Sequence, residues 1–408
     1  MTRFGDLVPL RLSSAVGGSL SRLPDAVGRV VRPARYRSLP SEMPPIDPLP
    51  AAPRRVLIGA LNTAGQAHRW AQAISLVPGT IGVSLSRLDT GFHFDVDIAV
   101  PSAVAMTSHD WQRKHARVRG FSATDVVIES GLPIFGPAFG WSLRREVRAL
   151  QRRGIRVVVV CHGSDVRDVR ALNARNPHSP YLLPQFEPLL PAMQRRAAER
   201  RRVIRTTGVP VLGSTHGVLI DMPEASWVPV VVDPASWATD AQPFAHNDPP
   251  LVVHAPSQAG IKGSEQVDAV LTALAGEGLV RYERLAGAAH DDVRRVYRRA
   301  DIMVDSLRTG GFGVAACEAM AAGRLVVSNV AEVYRRDLHE KYGLELPIVQ
   351  ADPTTLASVL RACIAAPESS RSIAARGPAY VGALHDGRES ARRILAALDT
   401  PAALGLRQ

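Results

Sequence analysis

The sequence predicts two doubly wound α/β domains, each a parallel sheet with helices on both faces. Strand-sized Val/Ile runs alternate with helix-sized amphipathic segments, and strands that apolar throughout are those buried on both faces. The alternation runs twice, on either side of a loop-like stretch near residues 233–249. The chain has 408 residues, 46% hydrophobic and 21% charged, which is a globular composition with enough apolar material for two cores.

Each element follows from its pattern. RRVLIGALN, from Arg54, reads as a strand, and GQAHRWAQAISLV as the helix after it. TDVVIESG is a strand, SLRREVRALQRRG a helix, and IRVVVVCHGSD a strand ending in a polar loop. PVLGSTHG and WVPVVVD read as shorter strands. The second half repeats the pattern: PLVVHAP then EQVDAVLTALAGEG, LVRYERLAG then HDDVRRVYRRA, DIMVDS then GVAACEAMAAG, and RLVVSN before helices through Ala396. In open α/β sheets ligands bind beyond the carboxyl ends of the strands. Those ends fall at Asn62, Glu129, His162, Thr215, Ser257, Gly287 and Asp305.

Residues 1–53 form a leader and linker. Apolar residues from Phe4 to Val30 recur at helical spacing but are broken by Pro9, Gly17, Gly18 and Pro24, and six prolines between Pro40 and Pro53 predict an extended linker. The leader either packs on the body or lies on a membrane. Asp6 and Arg11 interrupt any signal-peptide core, and no window has the ~18 apolar residues of a spanning helix. Cys161, Cys317 and Cys363 are sparse, odd in number and without metal-ligand spacing, which fits a reducing cytoplasm and neither a disulfide scaffold nor a zinc site.

Lysine and arginine total 49 against 38 acids, a formal net charge of +11, yet the only lysines are Lys114, Lys262 and Lys341. Arginines gather at Arg144, Arg145, Arg148, Arg152, Arg153 and Arg156, and again at Arg195, Arg196, Arg200, Arg201, Arg202 and Arg205. Both stretches read as helices with solvated faces or as docks for anionic lipid or polyphosphate. Nucleic acid is not an expected partner, because no aromatic interleaving or recognition motif accompanies the charge.

Two segments carry chemistry. In GGFGVAACEAMAAG, Gly310, Gly311 and Gly313 make a small-residue turn that opens a helix. Its unpaired N–H groups and positive dipole end suit a phosphate, and Glu318 stands in reach of a ribose diol. In HAPSQAGIKGSEQV a strand ends at His254, and Lys262 precedes a helix with Ser264 as N-cap, a point charge for a diphosphate. Cys161 and His162 are not a nucleophile–base pair, because successive strand residues face opposite ways. Glu129 and Asp165 read as caps or hydrogen-bond anchors, and His216 and His290 as structural or exposed. No acid cluster for a divalent metal is evident, and no cofactor is expected.

ADIMVDS…GGFGVAACEAMAAGRLVV resembles the C-terminal signature of retaining glycosyltransferases of family 4, which have the GT-B fold of two facing Rossmann-like domains. HAPSQAGIKGS, IRVVVVCHGSD and IGALNTAGQ resemble that family's lysine loop, acceptor-side His-Gly-Ser-Asp segment and first glycine loop. The resemblance spans about residues 54–395 and implies an acceptor-side domain at 54–240, a nucleotide-sugar domain at 241–378, and a C-terminal helix in 379–408 crossing back to the first domain. It implies sugar transfer from a nucleotide-diphosphate donor to a glycan or lipid-linked acceptor with retention, in the cytoplasm or on the inner membrane face. Glu318 matches the ribose-binding acid, Lys262 the diphosphate lysine, and His162 a histidine facing sugar and acceptor. Gly311, Phe312 and Gly313 match the loop on sugar and phosphates, and Gly65, beside Asn62, the loop that approaches the diphosphate. The family's first acid falls at Gly310 and its usual arginine near Ser257, so this chain departs from the family at both. A binding-only subunit, an epimerase of related fold and a membrane-surface scaffold are the other readings.

Overall fold

The computed structural model describes residues 25, 43–88, 94–245 and 248–400, so the helical spacing read between Phe4 and Val30 lies, apart from Asp25, outside the described residues. The first sheet comprises β1 (Arg54–Ala60), β2 (Thr80–Arg87), β3 (Ile98–Val100), β4 (Asp125–Glu129), β5 (Arg156–Cys161), β6 (Val211–Gly213) and β7 (Ser226–Trp227). Its order is β3-β2-β1-β4-β5-β6-β7. The second comprises β8 (Leu251–His254), β9 (Arg281–Arg284), β10 (Ile302–Val304), β11 (Leu325–Ser328) and β12 (Ile348–Gln350), in the order β12-β11-β10-β8-β9. Every pairing is parallel. This is the doubly wound pair of domains that the alternation predicts, with the facing-domain architecture of GT-B proteins.

The apolar runs have a direct cause in the layering. Leu57, Val126, Ile128, Val157 and Val159 fill one face of the first sheet. Their strand neighbours Val56, Ile58, Val127, Val158 and Val160 fill the other, against Trp70 and Ile74. Each such side chain contributes about 1.5–3 kcal/mol on burial. The second sheet is built alike, with Val253, Met303 and Val326 on one side and Val252, Ile302 and Val327 on the other.

Strand order reverses between β1 and β4 in the first sheet and between β8 and β10 in the second. Such switch points open a crevice beyond the strand ends. The Asn62–Gly65 loop and Glu129 sit at the first, and Lys262 and Asp305 at the second.

Two segments differ from the sequence reading. WVPVVVD forms a ladder only at Ser226–Trp227. Beyond it the backbone is satisfied elsewhere: Val231 exchanges two hydrogen bonds with the Gln66 amide, and Pro229 O accepts from Trp70 Nε1 and Ser390 Oγ. His385 takes the Val232 N–H and the Val230 carbonyl. With its donors and acceptors already used, this buried crossing needs no strand partner. The proline-rich stretch from Met43 to Pro53 has no regular structure but lies against the first domain. Pro44 O accepts from Trp111 Nε1, Asp47 O from Arg119 Nε, and Leu49 is buried in the core.

The helix Arg388–Asp399 packs Ala391, Ile394 and Leu398 onto the Trp70 face of the first domain. Its end is pinned by Asp399, 3.0 Å from Arg54 and 2.8 Å from Arg156. Several clustered arginines therefore have internal work: Arg156 also meets Asp125, Arg200 binds Ser130 O, Arg201 binds Val166 O and Asp168, and Arg205 binds Glu224. Arg144, Arg145, Arg148, Arg152, Arg195, Arg196 and Arg202 remain exposed.

Candidate functional site

Beyond β1 the chain makes a tight loop in which Asn62 (φ 53°), Ala64 (φ 51°) and Gly65 (φ 74°) are left-handed. Only glycine adopts that conformation without cost, and a Cβ at position 65 would also meet the Phe94 ring at 3.2 Å. Glu129, fully buried at the end of β4, accepts the N–H groups of Leu61 (2.8 Å), Asn62 (2.7 Å) and Thr63 (3.2 Å). Asn62 ties the loop outward, donating to Asp95 O and accepting from His68 N.

His162 follows β5. Its Nε2 donates to Glu129 Oε1 at 3.2 Å, its Nδ1 lies 3.1 Å from Ser214 Oγ, and its ring stacks on Trp70 at 5.8 Å. Burial opposes the Glu129 charge, but the His162 bond and charge and the loop amides outweigh it and hold the carboxyl below its usual pKa. For His162, burial likewise opposes the charge, and the Glu129 bond and charge reverse that and raise its pKa. Asp165 accepts the N–H groups of His162 and Gly163, so both acids are hydrogen-bond anchors.

At the second switch point, Lys262 Nζ donates to Asp305 Oδ1 at 2.7 Å. His254, whose pKa burial holds down to about 4, is neutral. Its Nδ1–H donates to Val304 O and its Nε2 accepts from Ser264 Oγ, both at 2.8 Å, which locks the lysine loop between β8 and β10. Ser257 is exposed in the bend before it. Gly310 has φ 70°, and a Cβ there would lie 3.5 Å from Asn176 Nδ2 of the first domain. That amide donates to Arg308 O at 2.8 Å, so a cross-domain contact stands where the resemblance implies an acid. Gly311, Phe312 and Gly313 lead into the helix Val314–Ala321, whose first N–H groups have no intrahelical acceptor.

Glu318, 9% exposed, projects from that helix, with Oε1 accepting from His290 Nε2 at 2.9 Å. His290 meets Trp237 edge-on at 5.3 Å. Beside this pair a cavity of about 320 Å³ opens between the domains. Ala64, Gly65 and Gln66, with His68, Arg69, Phe94 and Asp95, line one side of it, and Trp237, His290, Arg294, Val314 and Glu318 stand on the other.

Of the residues singled out from sequence, the cavity gathers Gly65 and Glu318 directly. Asn62 stands behind the Gly65 loop, while Gly311, Phe312 and Gly313 lie ahead of the Glu318 helix. Lys262 and Ser257 lie on the neighbouring loop, outside the lining. His162 is also outside the lining, with both ring nitrogens engaged within its own domain. His290, read from sequence as structural or exposed, is half-exposed at the cavity and holds Glu318. Its signal was its place three residues beyond Gly287, itself a strand end. Trp237 and Arg294 carried no such signal.

Residues 237–365 match the Glycosyl transferases group 1 family model. The match falls on the second domain and contains Ser257, Lys262, His290, Gly310 and Glu318. Solved structures share the fold at low identity. HepE of Anabaena, in complex with UDP and glucose, is 13% identical with a TM-score of 0.52, over 85% of this chain and 99% of that one. A glycosyltransferase of Rickettsia africae is 12% identical with a TM-score of 0.53, covering 85% and 97%. The sucrose-phosphate synthase of Thermosynechococcus elongatus is 12% identical with a TM-score of 0.53, covering 84% and 98%. No curated protein matches the chain. Among the described residues there is no cluster of metal-ligating side chains and no helix long and apolar enough to cross a membrane.

Proposed function

We propose that the protein transfers a sugar from a nucleotide-diphosphate donor, held in the cavity between its domains, to a glycan or lipid-linked hydroxyl with retention of configuration. The observation that carries this is Glu318: a carboxylate at the cavity wall, oriented by His290, one turn beyond a glycine-rich helix start, inside the matched segment. A ribose diol would donate to Glu318. The diphosphate would lie at the N–H groups after Gly311, Phe312 and Gly313, with Lys262 adding positive charge. Stabilising the departing diphosphate in this way is electrostatic catalysis. The acceptor oxygen forms the new bond to the anomeric carbon as the bond to the diphosphate breaks, and the acceptor proton leaves to phosphate or solvent. The same-face course and the family 4 assignment rest on the resemblance. His162 enters as a residue of the acceptor-side domain that acts through Glu129, and Asn62 and Gly65 as the wall facing the donor.

The test is calorimetry with UDP, GDP, ADP and their sugars on the wild type and on Glu318→Gln, followed by product analysis with the donor that binds. One nucleotide should bind, and the variant should lose about 1.5–3 kcal/mol, roughly 10- to 100-fold in affinity. No binding by any nucleotide at millimolar concentration overturns the donor site. The anomeric configuration of the product decides retention.

A binding-only partner is the second reading, favoured by the Lys262–Asp305 pair and the missing side chain at Gly310; binding without turnover over an acceptor screen would select it. The exposed arginines support a third element, peripheral docking on an anionic inner membrane face. Sedimentation with phosphatidylglycerol vesicles, lost at high salt and absent with phosphatidylcholine, is its expected signature.

A further inference from the structure

Glu129 is a carboxylate with no exposed surface. A buried charge is retained only where partners compensate it. Here the partners are three consecutive backbone amides of the loop after β1, together with the His162 ring. That loop holds two non-glycine residues, Asn62 and Ala64, in the left-handed conformation, which costs each of them energy. The acceptor converging on Leu61, Asn62 and Thr63 favours this backbone over a relaxed one, alongside the Asn62 bonds to Asp95 O and from His68 N. The face turned away from Glu129 is the cavity wall formed by Ala64, Gly65 and Gln66.

We infer that Glu129 is a positioning residue for the donor cavity, fixing the backbone of residues 61–65 so that Gly65 and its neighbours form the wall a nucleotide diphosphate meets. His162, clasped between Glu129, Ser214 and Trp70, is the side-chain partner that keeps this carboxyl group aimed at the loop amides. The inference rests on the donor-site reading above but concerns a residue outside the matched segment and outside the cavity lining.

The experiment compares the full-length wild type with Glu129→Gln and with Glu146→Gln. Glu146 is an internal control: it too is fully buried and accepts two backbone amides, of Ile134 and Phe135, but it lies away from the cavity. A glutamine offers one acceptor oxygen where a carboxyl group offers two, so at least one backbone amide is released in each variant. Amide hydrogen exchange is read at residues 61–65 and 134–135, melting temperature for stability, and calorimetric Kd for UDP, GDP and ADP. Glu129→Gln should speed exchange at 61–63 at least tenfold and raise the Kd of the preferred nucleotide by about tenfold or more. Glu146→Gln should lower the melting temperature comparably and speed exchange only at 134–135, with Kd unchanged.

Unchanged exchange at 61–63 in Glu129→Gln overturns the inference. So does faster exchange with wild-type Kd, because Glu129 would then be structural in the same sense as Glu146. If the wild type binds none of the three nucleotides, the donor-site reading fails, and the exchange data alone decide whether Glu129 sets the wall.

Discussion

The Lys262 ammonium sits 2.7 Å from a carboxylate that is only 3% exposed, so its first task is to neutralise Asp305. Removing one partner of a nearly buried pair strands the other, at about 3 kcal/mol. Lys262→Ala should therefore lower the melting temperature by several degrees as well as weaken diphosphate binding. Lys262→Ala with Asp305→Asn should restore much of the stability and none of the binding. Recovery of both by the double variant would mean that the lysine acts only through Asp305. Gly310 is a second residue-scale test. Its positive φ makes any Cβ unfavourable by roughly 1–2 kcal/mol, and a side chain there also approaches Asn176. Gly310→Glu, which restores the acid of the resemblance, should destabilise the fold and disturb the Asn176–Arg308 contact between domains. A melting curve matching wild type would refute this account of the glycine.

Among elements, the most consequential pairing joins the C-terminal helix to the first domain. Ile394 and Leu398 cover Trp70, whose ring in turn backs His162. Ending the chain after Asp386 uncovers that face and leaves Arg54 and Arg156 without Asp399. The truncated protein should melt many degrees lower and bind an apolar dye such as ANS. Unaltered melting would show that the helix is dispensable. The helix Leu143–Gln151 offers a different lesson, since Glu146 faces inward from an arginine-rich surface. Burial pushes its carboxyl up to about 8 against the two amides that hold it.

At the scale of the whole molecule, these buried groups set the dependence of stability on pH. His115 is held down to about 3, and His216, His254 and His385 to about 4, all mainly by burial. Below pH 6.5 the unfolded chain protonates these rings while the folded one does not, so stability falls steeply from about 6.5 toward 4. Glu146 acts with the opposite sign: its folded pKa is raised, so the folded state binds the extra proton and loses stability as pH rises toward 8. His162, also raised, adds to the same decline. Melting temperature should peak near pH 6.5, and Glu146→Gln should flatten the fall between 6.5 and 8. A profile that keeps rising to pH 8 would refute these assignments.

The sequence by itself determined the two parallel sheets, because strands buried on both faces must be apolar throughout and are read without knowing their neighbours. It located the ends of those strands, and with them Asn62, Glu129, His162, Ser257 and Asp305, since polar residues break each run where the strand leaves the core. It also singled out Glu318 and Lys262 by helix-start chemistry, which is local. What it missed is non-local. WVPVVVD has strand composition, yet its hydrogen bonds go to Gln66, Trp70, His385 and Ser390, residues as much as 165 positions away. The pairing of His162 with Glu129, that of Lys262 with Asp305, and His290 against Glu318 all depend on which loops the strand order brings together. Pattern reports what one segment must bury, and only tertiary packing decides which side chain spends its charge on which partner.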